Sequence, residues 1–386
     1  MYFYEFTSAY AACGGTDAQL APPCFDPSRC LSANGTANFT VYVHSPTCSL
    51  QPSSELLQRG QAGGSSHDWN RVWRSAVHRA GALVETPQEA CLIAFVGDMY
   101  TRYTQQCVPL TPTWRRGLNH VLIDLTDRAR GVTYWTLSPR VAFAKSNLAA
   151  SALRAGYDVA VALPPKGAFA HLEPAPAARR RYLLTFCGTV YPTRRWRQHG
   201  WERMHLLALH APADGVVVVG RCSELRGDHA RRENADRCAA LRRDYDAYDY
   251  GDLLNTTFAL VPAGRQPATY RLLEAMSAGA IPVVCADDYA LPFPRLFDWD
   301  AIAIVLPALA APEDVLAAVR AVSDDERERM HRGVVDAYAR LFSAAGKGRG
   351  AFLASVADRT LLELRENVQR AVALEGVGAG AGGGAG

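Results

Sequence analysis

Residues 257–299 read TFALVPAGRQPATYRLLEAMSAGAIPVVCADDYALPFPRLFDW. The apolar run 258–261 reads as a strand buried on both faces, as in a parallel sheet. A turn containing Gly264 and Arg265 follows. Pro267 is a favoured first-turn residue, so the pattern predicts a helix over 267–277, stopped by Gly279 as its C′ residue. A second apolar run, 281–285, is the next strand. A strand end, a glycine turn and a helix N-terminus make an anion site, because backbone N–H groups and the helix dipole point outward together. Arg265 adds a planar fork suited to phosphate. Arg271 and Glu274 lie deeper in the helix, where a carboxylate can accept hydrogen bonds from ribose hydroxyls. Taken alone, the pair also fits an i,i+3 salt bridge on a surface helix.

The same alternation extends in both directions. Strands are predicted at 39–44, 90–96, 120–125 and 158–162, with helices at 68–82 and 141–155. A second series has strands at 182–186, 216–220, 258–261, 281–285 and 302–306, with helices at 201–210, 250–255 and 267–277. Helices at 313–322, 324–342 and 351–374 finish the chain. Strands alternating with helices imply right-handed crossovers and parallel sheets. Two such series give an α/β fold of two Rossmann-like, doubly wound domains. Ligands of such domains bind outside the carboxyl ends of the strands. The expected division is an irregular cysteine-bearing lead-in at 1–37, a first Rossmann-like domain at 38–165 and a second at 166–345. A C-terminal helix at 346–375 and a disordered Gly/Ala tail at 376–386 complete it.

Composition narrows the function. The chain has 386 residues, 49% hydrophobic and 20% charged, which is ordinary for globular domains. Lys plus Arg number 41 against 38 Asp plus Glu, a net +3 that excludes a dedicated nucleic-acid binder. Basic residues still cluster locally, at 179–181 and at Arg194, Arg195 and Arg197. No apolar run is long enough to span a membrane, and the first residues do not read as a signal peptide. Ten cysteines without zinc-ligand spacing, and sequons at Asn34, Asn38 and Asn255, point to an oxidising secretory lumen.

With these motifs quoted, the chain resembles the exostosin family of nucleotide-sugar glycosyltransferases. The family pattern P-x-G-R-x5-R-x2-E-A, G-x-I-P-V, L-P-F and W is met by Pro262 through Trp299. Its C-F-D-x3-C opening is met at Cys24–Cys30, its G-x-N-H at Gly117–His120 and its D-V at Asp158-Val159. Its Y-D-Y with the following T-F is met from Tyr248 to Phe258. The likeness is greatest to the domain that animal exostosins use for glucuronic acid transfer.

The resemblance implies a GT-B fold, two Rossmann-like domains facing across a cleft. It also implies inverting chemistry, a UDP-sugar donor, an oligo- or polysaccharide acceptor, and no cofactor or catalytic metal. Gly188, Gly264, Arg265, Arg271 and Glu274 become donor-site residues. Gly188 opens a second donor loop. Family members carry a basic residue just after it, where this chain has Thr189-Val190; Arg194 or Arg195 would substitute, and Arg203 is a further phosphate candidate. The acceptor hydroxyl needs a general base. Asp98 ends the strand at 90–96 and aligns with an acidic residue of the animal exostosins. His120 is the second candidate, or else a buried structural histidine. Asp127 also qualifies by position. Asp298-Trp299-Asp300 and Asp244-Tyr245-Asp246 have the form of a metal motif, but neither follows an apolar strand.

Cys222 and Cys238 bracket a charged loop and would close it. Cys30 with Cys91 and Cys13 with Cys24 fit the family pattern, Cys187 and Cys285 are expected as free core thiols, and Asn255 is the favoured glycan carrier. The family is anchored in the Golgi by an N-terminal helix, so a truncated N-terminus is expected. Homo- or hetero-dimerisation with another exostosin-like protein is among the implied partnerships. The alternatives are a non-catalytic partner subunit, transfer of galactose, xylose or arabinose as in plant members, and a lectin-like binder.

Overall fold

A computed structural model describes residues 25–44, 66–97, 113–125, 140–163, 176–191, 202–222, 235–264, 266–341 and 349–381. The chain divides into two compact units. One comprises Met1–Ala162 with Phe352–Gly386, the other Leu163–Ala351.

The first unit holds β1 (Val41–Val43), β2 (Leu92–Val96), β3 (His120–Asp124), β4 (Ala142–Lys145) and β5 (Val159–Ala160) in that spatial order, all parallel. β2 and β3 are buried along their whole length, as a sheet covered on both faces demands. Helix α1 (Ser66–Arg79) turns Trp69, Trp73, Ala76 and Val77 inward at helical spacing. The terminal helix Arg349–Ala381 belongs to this unit from Phe352 onward. Its Arg365 reaches the Ala80 carbonyl, and its Asp358 pairs with Arg79.

The second unit holds β6 (Tyr182–Val190), β7 (Val216–Cys222), β8 (Thr256–Pro262), β9 (Ile281–Cys285) and β10 (Ile304–Leu306). The order is β10-β9-β8-β6-β7, again all parallel. Helices α2 (Arg203–Leu206), α3 (Ala235–Asp246), α4 (Arg271–Ser277), α5 (Pro312–Ala321) and α6 (Asp324–Leu341) accompany it. Successive connections run in opposite directions from β6, first to β7 and then to β8. The crevice at the carboxyl ends of β6 and β8 is therefore the topological switch point, where doubly wound sheets bind ligands.

Several expectations are corrected. Residues 141–155 do not form a helix: they give strand β4 and a 3-10 turn at Ala150–Ala152. A short apolar run cannot reveal by periodicity whether it is helix or buried strand, and here a buried ion pair decides. Arg154 pairs with Asp158 at 2.6 Å, and Asp158 also accepts from the Phe143 amide at 2.9 Å, pinning the end of the strand. β6 runs on to Val190, so Gly188 lies inside a strand and opens no loop. Val190 is core, fitted against Gly220, where a Cβ would come within 2.6 Å of its Cγ1. The helix over 201–210 is one α turn followed by a 3-10 turn at Leu207–Leu209. The short helix at 250–255 is a 3-10 turn, Asp252–Leu254. The helix over 267–277 begins only at Arg271, which removes the helix N-terminus proposed at 267–269. The terminal helix reaches Ala381, into the Gly/Ala run expected to be disordered. Propagation adds one backbone hydrogen bond per residue to a helix already nucleated by packing.

Among the described residues, disulfides join Cys30 to Cys91 and Cys222 to Cys238, and Cys187 and Cys285 are buried free thiols. Cys13 and Cys24 lie outside the described residues. No helix among the described residues is long and apolar enough to cross a membrane.

Candidate functional site

The switch point is built around two arginines. Arg203, on α2, is buried and spans the crevice. Its Nε donates to the Ala263 carbonyl at 2.7 Å, its Nη1 to Thr189 at 2.8 Å and its Nη2 to Pro262 at 3.2 Å. Nη2 also reaches Thr269 Oγ1 at 3.4 Å. Arg203 thus ties the end of β6 to the end of β8. The expectation of a phosphate ligand is revised: most of its donors are committed to backbone carbonyls, and it acts first as a brace. Burial lowers its pKa to about 10, so it still lends positive charge to the crevice at neutral pH.

Arg271 opens α4 and is 4% exposed. Its Nη2 lies 3.4 Å from Thr185 Oγ1 on β6, and its guanidinium sits 5.2 Å from the Tyr250 ring centre. Its Nε and Nη1 are buried with no hydrogen-bond partner. Buried polar groups in native proteins are almost always paired, and an unpaired buried cation is costlier than a neutral group. Unused guanidinium donors buried in the crevice are what an anion such as a phosphate would complete.

Glu274, one turn along and 6% exposed, accepts a hydrogen bond from the Tyr250 hydroxyl. No ion pair joins it to Arg271, so the i,i+3 surface bridge is not the arrangement adopted. Burial is the main cause pushing the Tyr250 hydroxyl pKa up. Cys187 lies close by on β6, and burial raises its thiol pKa. Gly264 makes the tight turn after β8: a Cβ there would stand 3.0 Å from the Ala268 carbonyl oxygen. A Cβ at Gly188 would lie 2.7 Å from the Phe186 ring, so that glycine serves strand packing. Arg194, Arg195, Arg265, Asp98 and Asp127 lie outside the described residues.

His120 matches the buried structural reading. It stands at the amino end of β3, away from the strands' carboxyl ends, and is fully buried. Its ring packs between Phe95 and Trp114, with Nδ1 2.8 Å from the Leu118 carbonyl. It is a core histidine. The carboxyl ends of β3 and β4 carry instead a pair missed by sequence reading. Asp124 is buried and registers beside Lys145, whose pKa is lowered by burial against the opposing pull of Asp124. The signal was a charge closing each apolar run, VLID and AFAK. The two Asp-x-Asp triplets fall in a 3-10 turn and in α3. Among the described residues no group of three metal-ligating side chains converges.

A family model for the Exostosin GT47 domain matches residues 35–322. The chain belongs to the exostosin GT47 family. Exostosin-1 of Drosophila melanogaster is 30% identical over 306 residues, covering 73% of this chain and 37% of the relative. Exostosin-1c of Danio rerio is 27% identical over 368 residues, covering 89% of this chain and 46% of the relative. The chain therefore spans less than half the length of these relatives. Among solved structures, a glycosyltransferase from Rickettsia africae gives a TM-score of 0.42 at 7% identity, covering 86% of this chain and 98% of that one. Anabaena HepE in complex with UDP gives 0.38 at 13% identity, covering 88% and 100%. Within this exostosin GT47 chain, the family's R-x2-E-A motif is the Arg271–Glu274 segment described above, and its G-x-N-H motif supplies Asn119 and the core histidine.

Proposed function

We propose that the chain is a glycosyltransferase moving a sugar from a UDP-sugar to an oligo- or polysaccharide acceptor. Glucuronic acid is the favoured sugar, on the likeness to the animal glucuronosyl domain. The observation that carries the donor reading is the buried Arg271 guanidinium, with two unused donors at the switch point beside Glu274. Glu274 would hold the ribose hydroxyls. Arg271, joined by Arg265, would face the diphosphate, and the Arg203 brace would add its field.

The transfer is an inverting displacement. The acceptor oxygen attacks the anomeric carbon while its proton passes to a carboxylate, for which Asp98 is the candidate. The bond from that carbon to the β-phosphate oxygen breaks, and UDP leaves with the electron pair. Fixed positive charge at the leaving group lowers the barrier, so the reaction is proposed to need no metal. Formed disulfides, with exposed sequon asparagines at Asn34, Asn38 and Asn255, support a secretory lumen, the Golgi by family likeness.

Calorimetric titration with UDP, with and without EDTA, tests the reading. Micromolar-class binding that EDTA leaves unchanged is expected. Failure of the disulfide-intact protein to bind UDP would sink it.

A further inference from the structure

Arg271 and Glu274 are opposite charges three residues apart on one short helix, and both are almost fully buried. Side chains at that spacing are neighbours, and a buried cation beside a buried carboxylate has every electrostatic reason to close on it. They do not pair. The Glu274 carboxylate is turned to the Tyr250 hydroxyl. The Arg271 guanidinium lies over the face of the same tyrosine ring, leaving Nε and Nη1 without a partner. One side chain from the segment before β8 therefore engages both charges: its hydroxyl holds the anion and also interacts with the guanidinium, and its π-face lies against the cation.

We propose that Tyr250 is a positioning residue that keeps Glu274 and Arg271 apart, so that both charges stay available to a nucleoside diphosphate. This rests on the donor-site reading above. Without the hydroxyl, Glu274 loses its donor and swings onto the unused Arg271 nitrogens, the nearest available charge-assisted partner. That collapse satisfies both buried groups within the protein. It also removes the ribose acceptor and the phosphate donor in one step.

Tyr250 is held from elsewhere as well as by this contact. Its segment runs into the turn Asp252–Leu254, where the Leu253 carbonyl accepts from Thr185 Oγ1 at 2.5 Å. Arg271 Nη2 rests against that same Thr185 hydroxyl. The ring is thus anchored to β6 through its own backbone, and deleting one oxygen leaves its packing in place.

The test is the Tyr250→Phe variant, which keeps the ring. UDP is titrated calorimetrically against the wild-type and Y250F chains, thermal midpoints are compared, and the ligand-free variant is crystallised. We expect UDP affinity to fall about tenfold or more, the scale of a lost hydrogen bond to a charged group. The midpoint should stay within about 2 °C, because the new ion pair offsets the lost bond. The Glu274 carboxylate should be found on Arg271. Unchanged UDP affinity in Y250F, or a carboxylate that has not moved, overturns the proposal while leaving the donor reading intact. A large fall in midpoint overturns it too, by making Tyr250 a prop of the fold. A wild-type chain that does not bind UDP removes the donor reading and this inference with it.

Discussion

Asp26 and Asn119, 93 residues apart, exchange two hydrogen bonds: the Asp26 amide donates to Asn119 Oδ1 at 2.6 Å, and Asn119 Nδ2 donates to the Asp26 carbonyl at 3.1 Å. Nδ2 also reaches the Cys91 carbonyl at 2.9 Å, next to the Cys30–Cys91 bridge. Asn119 is fully buried and adopts a left-handed backbone (φ 58°), which asparagine tolerates better than most residues. The G-x-N-H motif therefore stitches the cysteine-bearing lead-in to the first sheet. Asn119→Ala strands the Asp26 and Cys91 groups and strains the backbone, and should cost about 3 kcal/mol. Chemical denaturation of the first unit's transition in the intact chain measures this; a loss below about 1 kcal/mol would refute the stitch.

The Arg154–Asp158 pair makes a sharper case. Both side chains are buried, and Asp158 also accepts the amides of Phe143 and Arg154. Arg154→Met leaves a carboxylate without its cation, and removing one partner of a buried pair costs about 3–5 kcal/mol. Restoring apolar balance with Asp158→Leu in the same chain should recover little, since the two amides then lose their acceptor. Thermal unfolding of the single and double variants decides it.

Removing the charge at Arg271 should separate binding from stability. Arg271→Met discards a guanidinium with two unsatisfied buried nitrogens, so the thermal midpoint should hold or rise. UDP affinity should fall by about tenfold or more. A lowered thermal midpoint with UDP affinity unchanged would show that Arg271 is structural.

On the proposed reading, the first unit offers two carboxylates to compare. Asp98→Asn should abolish transfer with UDP affinity unchanged, on the reading that Asp98 is the base. Asp124→Asn disturbs the buried pairing with Lys145, so its thermal midpoint should fall as well. Initial rates with a UDP-sugar panel, set beside UDP titrations of both variants, distinguish base from brace.

The Cys222–Cys238 bridge closes a loop at the carboxyl end of β7. Cys222→Ser with Cys238→Ser should lose about 3 kcal/mol on the chain-entropy estimate for such a loop. The equilibrium unfolding midpoint of the double variant provides the check.

Much of this was legible in the residues. Continuous apolar runs such as LIAFV and VVVV announced strands buried on both faces, and the structure places them in parallel sheets. The switch-point segment was readable because Pro262, Gly264, Arg271 and Glu274 carry distinct chemical demands at fixed spacing. What failed had physical reasons. VAFA at 141–144 has no period to separate helix from strand, and the deciding contact, Asp158 on the Phe143 amide, lies 15 residues away in sequence. Gly188 looked like a turn glycine, yet its small size is needed against the Phe186 ring inside a strand. His120 was already read at the start of its strand; what the sequence did not show is the packing of its ring against Phe95 and Trp114. Tyr250 was visible within a motif, but its grip on two charges from another segment has no local signature.

The terminal helix has a consequence for how the chain is made. Phe352 onward completes a unit that begins at the other end of the polypeptide. During synthesis the first unit leaves the ribosome without the helix whose Asp358 and Arg365 meet the end of α1, and must wait for the second unit to be translated. That interval leaves apolar surface open to chaperones. A gene cut after Ala162 would encode an unfinished core, whereas one grafting residues 352–381 onto that cut by a linker would restore it.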